Sequence, residues 1–236
     1  MLTAITRTYR RPTFLARNRA SLVAQTSADW HQELVVDESG TGIPATYLRL
    51  RSQDADGDLV WVFDDDNVLT DDTFVRRMHE EAAAGAEVII CPIKHPNLGG
   101  LPSAWPPACG QIDMMNIVVT RDVWYKHRHA FAPLYEGDWH FIDDVLKGGH
   151  RVTLTAETIG GPQAVMYGRS EDNYERTVNV KVGDKFTAKL DINGMDPDMT
   201  CFNYQAGQTV EVTAGNWTRV RSLAMGGLLV ESVPFR

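Results

Sequence analysis

The sequence has few cysteines and a deficit of positive charge. Its 236 residues include three cysteines, Cys91, Cys109 and Cys201, which lie far apart and form no CxxC pair. A disulfide framework or a cysteine-based zinc site is therefore not expected, and reduced thiols are typical of a cytosolic protein. The formal net charge is −8, whereas binding along a nucleic-acid backbone requires a basic surface. The charge argues against general nucleic-acid affinity and leaves room for a local basic groove.

Long apolar runs are also absent. No stretch approaches the roughly 18 apolar residues that a membrane span requires. The N-terminal MLTAIT lacks the basic start and apolar core of a signal peptide. We therefore expect a soluble, cytoplasmic protein without integral membrane association. With 43% hydrophobic and 23% charged residues, the chain is typical of a globular protein with one sizeable core and room for a small second domain.

The chain up to about residue 165 alternates short apolar runs with helical patterns. Strands are predicted over residues 2–5, 34–36, 59–63, 88–91, 117–119 and 152–154, and helices over residues 14–25, 72–84 and 140–148. In the first helix the spacing predicts one buried face, formed by Ala16, Ala20, Val23 and Ala24. Strands separated by helices need crossover connections, which favour a mainly parallel sheet. The pattern predicts an α/β domain over residues 1–170.

A different pattern begins near residue 178, after the polar segment at residues 168–176. Val178, Val180 and Val182 alternate with polar residues, and further alternating runs follow with glycine-containing turns between them. Alternation with a period of two is typical of short antiparallel strands. We therefore predict a small all-β domain over residues 178–236, which serves acceptor binding or oligomerisation.

Three consecutive aspartates follow the most apolar predicted strand. Residues 59–63 are LVWVF, and Asp64, Asp65 and Asp66 come directly after them. Ligands of open α/β sheets bind beyond the carboxyl ends of the strands. Adjacent carboxylates repel one another unless a cation neutralises them, and their oxygens suit Mg²⁺ or Mn²⁺. The segment predicts a metal site that neutralises a diphosphate, and a solvated acidic turn before the next helix is the structural alternative.

Two further segments accompany these aspartates, TRTYRRP at residues 6–12 and ELVVD at residues 33–37. Together with the DxD motif at residues 64–66, they resemble family 2 glycosyltransferases, which have the GT-A fold, a single Rossmann-like α/β domain. The resemblance implies that the nucleotide sugar is bound by a set of five residues, Thr8, Tyr9, Asp37, Asp64 and Asp65. It also implies that Asp66 coordinates the metal, Mn²⁺ or Mg²⁺.

Two later segments extend the resemblance. Residues 110–121, GQIDMMNIVVTR, resemble the segment that lines the acceptor side, and residues 138–152, DWHFIDDVLKGGHRV, resemble the helix that opens with the catalytic acid. The resemblance makes Asp138 the catalytic base. In an inverting transfer such a carboxylate takes the proton of the acceptor hydroxyl as it attacks the anomeric carbon. The family usually has two adjacent acidic residues before the aromatic residue, and here these positions are Gly137 and Asp138. Glu136, one place away, is therefore the alternative base.

The resemblance therefore implies a hexosyltransferase that uses a nucleotide-diphosphate sugar. The acceptor is a hydroxyl group on a glycan or another molecule, with modified DNA among the possibilities, and a homo-oligomer is compatible with the sequence. No motif names the sugar. One departure concerns the core, since 26 residues separate Asp37 from Asp64, which leaves room for one helix over about residues 44–54.

Two other functions remain open at this point. The segment FDDDNVLT also resembles the first motif of haloacid-dehalogenase-like phosphatases, in which Asp64 would be the nucleophile and Asp66 the acid and base, with Mg²⁺ as cofactor. Asp138 and Asp143 would then supply the late acidic motif. The remaining alternative is a non-catalytic carbohydrate-binding protein whose β domain binds the sugar.

A few further side chains have both a functional and a structural interpretation. His140 and His150 are candidate late metal ligands, and the alternative is a surface or capping histidine. Trp105 lies in a Pro- and Gly-rich loop, where it either stacks on an acceptor ring or packs on its own domain. Cys91 and Cys109 are interpreted as buried or bystander thiols.

Overall fold

The computed structural model describes residues 1–37, 43–134, 136–163, 182–188, 192–195, 201–213, 216, 220 and 229–231. The chain divides into two compact units, Met1–Val165 and Met166–Arg236. The polar segment at residues 168–176 lies outside the described residues, so independent folding of the tail stays a prediction. Within the part of the chain that the structure describes, no helix has both the length and the apolar character needed to cross a membrane.

A six-stranded sheet forms the centre of the first unit. Its strands are β1 Leu2–Thr8, β2 Trp30–Val36, β3 Leu59–Val62, β5 Val88–Ile90, β8 Ile117–Thr120 and β9 Val152–Leu154, in the order β2-β1-β3-β8-β5-β9. Strand β8 is antiparallel to both of its neighbours, and the other pairs are parallel. The predicted mainly parallel α/β sheet is thereby confirmed. Two short pairs lie outside this sheet, formed by β4 Asn67–Leu69 with β10 Gly160–Pro162 and by β6 Ile93–His95 with β7 Gly99–Leu101.

Helices flank the sheet and cover two hydrophobic cores. They are α1 Pro12–Val23, α2 Ile43–Leu50, α3 Phe74–Ala83, α4 Arg121–His127 and α5 Gly137–Lys147, with short 3-10 turns at Met114–Asn116 and Arg128–Ala130. Successive residues of a strand point to opposite faces of the sheet. Val60 and Val62 of β3 accordingly lie in one core with Phe141 of α5, whereas Trp61 lies in the other core with Phe74 of α3.

The buried face of α1 differs from the predicted one. Asn18 and Leu22 are fully buried, whereas the predicted set, Ala16, Ala20, Val23 and Ala24, is exposed. The prediction was wrong because it followed apolar spacing alone. The helix instead turns a polar side chain inward, where it binds main-chain carbonyl groups, as described below.

The described residues of the second unit form short antiparallel pairs. Strands β11 Lys185–Ala188, β14 Thr209–Glu211 and β15 Leu229–Glu231 form one sheet, and β12 Ile192–Met195 pairs with β13 Cys201–Tyr204. This pairing agrees with the alternating pattern of the sequence. Val178 and Val180 of the first alternating run lie outside the described residues.

Candidate active site at the carboxyl ends of β1, β2 and β3

Three parallel strands end at one edge of the central sheet, and the predicted site residues follow them. The main-chain N–H of Asp37 donates to the carbonyl of Thr8 at 2.9 Å, directly after β2. The N–H of Asp65 donates to the carbonyl of Arg7 at 3.3 Å, directly after β3. Parallel pairing therefore brings segments separated by more than 25 residues to the same edge. This edge is where an open α/β sheet binds its ligands.

Asp64 is bound by an arginine that sequence analysis did not single out. Nε of Arg7 donates to Oδ1 of Asp64 at 2.7 Å, and Nη2 donates to Oδ2. The guanidinium carbon also lies 4.5 Å from the ring centre of Tyr47 in α2, within the range of a cation–π interaction. The available signal was an arginine near the end of the otherwise uncharged strand LTAITRT. A charged side chain at that position needs a partner nearby.

Asp65 is the most deeply buried of the three aspartates. Its side chain has no exposed surface, and Nη1 of Arg11 donates to its Oδ1 at 2.6 Å. Within the described residues its Oδ2 has no hydrogen-bond partner. Burial raises the pKa of Asp65, and the nearby charge of Arg11 and a hydrogen bond with Thr8 oppose that effect. Asp65 therefore anchors the loop formed by Asp64, Asp65 and Asp66, the acidic loop, against Arg11.

Asp66 has the most perturbed carboxyl group of the acidic loop. Burial raises its pKa to about 7, and the charges of Asp65, Asp64 and Asp113 act in the same direction. Arg11 opposes the rise, with its Nη1 3.8 Å from Oδ2 of Asp66. A carboxyl group in such surroundings is stabilised in its ionised form by an added cation.

The main chain of the acidic loop is fixed by a buried amide network. Nδ2 of Asn18 donates to the carbonyls of Asp64 at 2.9 Å and Asn67 at 3.0 Å. Gln32 of β2 holds Asn18 in turn, donating to its Oδ1 at 2.7 Å. Since buried main-chain carbonyls need donors, Asn18 explains why α1 buries a polar residue at this position.

Asp138 lies in the first turn of α5, half-buried. Burial raises its pKa, the charge of Arg7 and the Trp139 N–H lower it, and the charge of Asp64 raises it further. That N–H donates to Oδ1 of Asp138 at 2.8 Å. These effects place the predicted base in the same electrostatic environment as the acidic loop. Glu136 precedes the helix and is exposed.

Asp113 comes directly before the 3-10 turn at Met114–Asn116 and belongs to the same electrostatic environment. Its Oδ1 accepts the N–H of Met115 at 2.8 Å. Burial raises the pKa of Asp113 to about 6, and the charges of Asp138 and Asp64 add to this, whereas that hydrogen bond and the charge of Arg7 oppose it. The charge of Asp113 raises the pKa of Asp66, and the charge of Asp138 raises the pKa of Asp113. Asp113 therefore links the loop after β3 with the start of α5.

The charges of this cluster do not balance, which bears on the predicted cation. It has five carboxyl groups, Asp64, Asp65, Asp66, Asp113 and Asp138, and two guanidinium groups, Arg7 and Arg11. Within the described residues, no group of three or more His, Cys, Asp or Glu side chains is arranged to hold a metal ion. Hard carboxylate oxygens in excess over cations suit Mg²⁺ or Mn²⁺, which commonly take further ligands from substrate phosphates and water. The residues present therefore fit a divalent cation that completes its shell with ligand oxygens.

The residues predicted to hold the nucleotide lie at the same edge. Thr8 is buried, Tyr9 is half-buried, and Asp37 is 3% exposed. Nη2 of Arg49, on α2, lies 3.4 Å from Oδ1 of Asp37. Residues 38–42, which follow Asp37, lie outside the described residues. The roles of Thr8, Tyr9 and Asp37 stay predictions.

The two histidines considered as possible metal ligands differ in their surroundings. Nε2 of His150 is 2.8 Å from Nε2 of His127, whose Nδ1 is 2.8 Å from Oδ2 of Asp144. His150 follows the end of α5, roughly 15 Å along the helix from its first turn, whereas Asp144 lies within α5 and His127 ends α4. His140 is exposed on α5. The contact of His150 with His127 fits its structural interpretation, and a metal-ligand role for either histidine stays a prediction.

Burial distinguishes the cysteine candidates from each other, whereas it leaves the role of Trp105 open. Cys91 is fully buried, and burial raises the pKa of its thiol to about 12, as expected for a structural thiol. Cys109 is exposed. Trp105 is 44% exposed, which leaves both of its interpretations open.

The phosphatase alternative meets an obstacle at its nucleophile. Both carboxylate oxygens of Asp64 accept hydrogen bonds from Arg7, which lowers their availability for attack on phosphorus. Asp143, the late acid of that alternative, pairs with Lys147 at 2.7 Å one turn along α5. Neither observation favours a phosphatase.

The start of α5 depends on a glycine, which gives a test of how Asp138 is positioned. A Cβ on Gly137 would lie 2.0 Å from the carbonyl oxygen of Ala132 and 2.6 Å from Cδ2 of Tyr47. We expect Gly137→Ala to lower the free energy of unfolding by about 1–3 kcal/mol, because the packed site cannot admit a methyl group. Denaturant unfolding measures this. Gly100→Ala is the control, since a Cβ there has no neighbour within 4 Å; equal stability of the two variants would contradict the packing.

Comparison with solved structures relates this fold to glycosyltransferases. Over 76% of its length the chain aligns with TarS 1–349 from S. aureus, with a TM-score of 0.54 and 12% identity. The same fragment in complex with UDP gives a TM-score of 0.55 at 12% identity, also over 76% of this chain. The mannosyltransferase PcManGT from Pyrobaculum calidifontis, in complex with GDP-Man and Mn²⁺, gives 0.50 at 13% identity over 75% of this chain.

The similarity concerns the fold and part of each relative. The chain spans 66% of the first TarS fragment, 67% of the fragment with UDP and 60% of PcManGT. No model of a known protein family matches the sequence, and no curated protein sequence matches it either. The first unit therefore has a GT-A-like fold.

Proposed function

We propose that the protein is a glycosyltransferase that moves a sugar from a nucleotide-diphosphate sugar to an acceptor hydroxyl, with inversion and with a divalent cation. The supporting observation is that the acidic loop after β3 and Asp138 at the start of α5 share one electrostatic cluster. Solved structures of similar fold include TarS with UDP and a mannosyltransferase with GDP-Man and Mn²⁺. A hexose donor is the corresponding expectation for this chain.

Asp66 is the residue that we assign to the cation, Mn²⁺ or Mg²⁺. When bound, such a cation neutralises the diphosphate of the donor and of the leaving group. The chain supplies the rest of the arrangement. Asn18 holds the main chain of the acidic loop in place, and Arg11 holds Asp65 at 2.6 Å. Asp66 is thereby presented from a loop whose neighbours on both sides are fixed.

Asp138 is assigned as the general base. Its Oδ1 accepts the N–H of Trp139, so the other carboxylate oxygen is the one that would take the proton of the acceptor hydroxyl. A base must be ionised before it accepts a proton. The charge of Arg7 favours that form, because it lowers a pKa that burial raises. The acceptor, a glycan or another hydroxyl-bearing molecule including modified DNA, is left open, as are the tail's role and the oligomeric state.

Asp37 is assigned, with Thr8 and Tyr9, to the nucleotide. We expect Asp37→Ala to weaken nucleoside-diphosphate binding about tenfold or more, because a buried carboxylate that hydrogen-bonds a ligand contributes roughly 1.5–3 kcal/mol. Isothermal titration of UDP and GDP measures this. Asp29→Ala is the matched control, since Asp29 comes just before β2, at the strand's opposite end. If Asp37→Ala folds and binds as tightly as the control, the nucleotide is held elsewhere.

The proposed function itself is tested first by donor binding. Thermal unfolding of the native chain is followed with UDP, GDP and a panel of nucleotide sugars, each with and without Mn²⁺. We expect at least one nucleotide to raise the melting temperature in a Mn²⁺-dependent way, since a ligand that binds the folded state stabilises it. A panel without any shift, alongside binding of free glycans, would instead favour the carbohydrate-binding alternative.

A further inference from the structure

The acidic loop presents three aspartates, but they are not equally available to a cation. Both oxygens of Asp64 accept hydrogen bonds from the guanidinium of Arg7. The side chain of Asp65 has no exposed surface. The side chain of Asp66 is 16% exposed and that of Asp64 is 21% exposed, and Oδ2 of Asp66 lies 3.8 Å from Nη1 of Arg11. The loop therefore offers a cation fewer carboxylate oxygens than the sequence DDD suggests.

Arg7 is held firmly in a position where its guanidinium contacts both carboxylate oxygens of Asp64. It is 13% exposed, and its planar guanidinium makes a two-point contact with the carboxylate, the strongest geometry for such a pair. Tyr47 lies against the guanidinium, with a distance of 4.5 Å between the guanidinium carbon and the ring centre. A cation that approached Asp64 would have to displace a charge-assisted pair that is shielded from water.

We propose that Arg7 competes with the divalent cation for Asp64, so that the cation binds together with the nucleotide rather than before it. This inference rests on the proposed function, because it concerns the same loop and the same cation. With Asp64 occupied and Asp65 without exposed surface, the acidic loop gives the cation few carboxylate oxygens for tight binding. The diphosphate oxygens of the nucleotide then supply the missing ligands, which is the usual way in which Mg²⁺ and Mn²⁺ are held at phosphate sites.

If Arg7 competes with the cation, its removal raises the affinity for Mn²⁺. Removal of an arginine with a purely structural role would leave that affinity unchanged or lower it. Replacing Arg7 by methionine removes the guanidinium and keeps much of the apolar length against Tyr47. Asp64 is then released, and the local excess of carboxylates grows. We expect the affinity for Mn²⁺ alone to rise by about tenfold, within the 10–100-fold range of changes in the surroundings of metal ligands. The factor by which UDP or GDP enhances Mn²⁺ binding falls correspondingly, because the released carboxylate replaces ligands that the diphosphate otherwise supplies. The enhancement of nucleotide binding by Mn²⁺ falls by the same factor, since coupling between two ligands is reciprocal.

The experiment measures binding of Mn²⁺ alone by electron paramagnetic resonance, then repeats it with UDP or GDP. The native chain is compared with Arg7→Met, Asp64→Asn and the double variant, and circular dichroism checks each fold. We expect the gain of Arg7→Met to vanish in the double variant, because the gain requires the Asp64 carboxylate. Arg76→Met is the charge control, since Arg76 lies on the exposed face of α3 in a pair with Glu80.

A second variant keeps the test decisive if Arg7→Met fails to fold. Arg7→Lys retains the charge but cannot contact both carboxylate oxygens at once, so we expect a smaller gain in the same direction. Unchanged or weaker Mn²⁺ binding in folded Arg7 variants would overturn the proposal, and so would a gain that persists in the double variant. The probe is Mn²⁺ alone, so this measurement does not depend on sugar transfer. Absence of sugar transfer would count against the proposed function and would not change the result for Arg7.

Discussion

Asp138→Asn is expected to lower the turnover of sugar transfer by about 10²–10⁴-fold, the usual contribution of a general base. Asparagine keeps the shape of the side chain and removes the proton acceptor. Donor affinity is expected to stay close to native, because the donor is assigned to residues at the ends of β1, β2 and β3. Steady-state rates together with titration of the nucleotide separate the two quantities.

Glu136→Gln is the matched control for this variant. Glu136 is exposed and precedes α5, whereas Asp138 is half-buried in its first turn. We expect Glu136→Gln to change turnover by less than about threefold, as an exposed neighbour that does not accept the proton. The opposite result, with transfer lost in Glu136→Gln and retained in Asp138→Asn, would move the base to Glu136. Retention in both variants would contradict the mechanism.

Asp66→Asn is expected to abolish the enhancement of nucleotide binding by Mn²⁺. The reason is that Asp66 is the carboxylate assigned to the cation, and its ionised form is the one that a cation stabilises. Titration of UDP or GDP with and without Mn²⁺ measures the enhancement. Equal enhancement in Asp66→Asn and the native chain would contradict the assignment. Asp71→Asn is a control, since Asp71 pairs with Arg77 and Thr73 after β4.

The same group gives the metal effect a pH dependence with a definite sign. The pKa of Asp66 in the folded chain is about 7, above the ordinary value of about 4 for an unfolded aspartate. Between these values the folded state holds a proton that the unfolded state has lost, so this contribution to stability is present at low pH and declines as the pH rises toward 7. Mn²⁺ requires the ionised carboxylate. We therefore expect Mn²⁺ added with UDP or GDP to stabilise the protein more at about pH 8 than at about pH 5.5, and equally at both in Asp66→Asn.

Much of the fold follows from patterns that are local in the chain. The apolar run of β3 and the alternation of strands with helices predict the sheet, because burial on both faces and crossover connections leave those patterns in the sequence. Even the shortened connection between Asp37 and Asp64 was predicted to hold one helix, and the structure places α2 there over Ile43–Leu50. The limits of the helices moved by a few residues, since helix ends depend on capping and packing.

The parts of the site that were not predicted depend on contacts between distant segments. Arg7 and Asp64 are 57 residues apart, and no spacing rule connects them. Asn18 is buried in α1 because carbonyls after β3 require a donor, a need that is invisible in the periodicity of α1 itself. His150 illustrates the converse, because a histidine near the predicted base in sequence lies beyond the far end of α5 and contacts His127.

The central claim, sugar transfer from a nucleotide-activated donor, is tested most directly by the release of nucleoside diphosphate from a panel of nucleotide sugars. The native chain is incubated with Mn²⁺ and each donor, and a generic aryl phosphate is included as the phosphatase substrate. We expect release of UDP or GDP from at least one donor, loss of that release in Asp66→Asn, and no hydrolysis of the aryl phosphate. Hydrolysis of the aryl phosphate without release from any nucleotide sugar would contradict it.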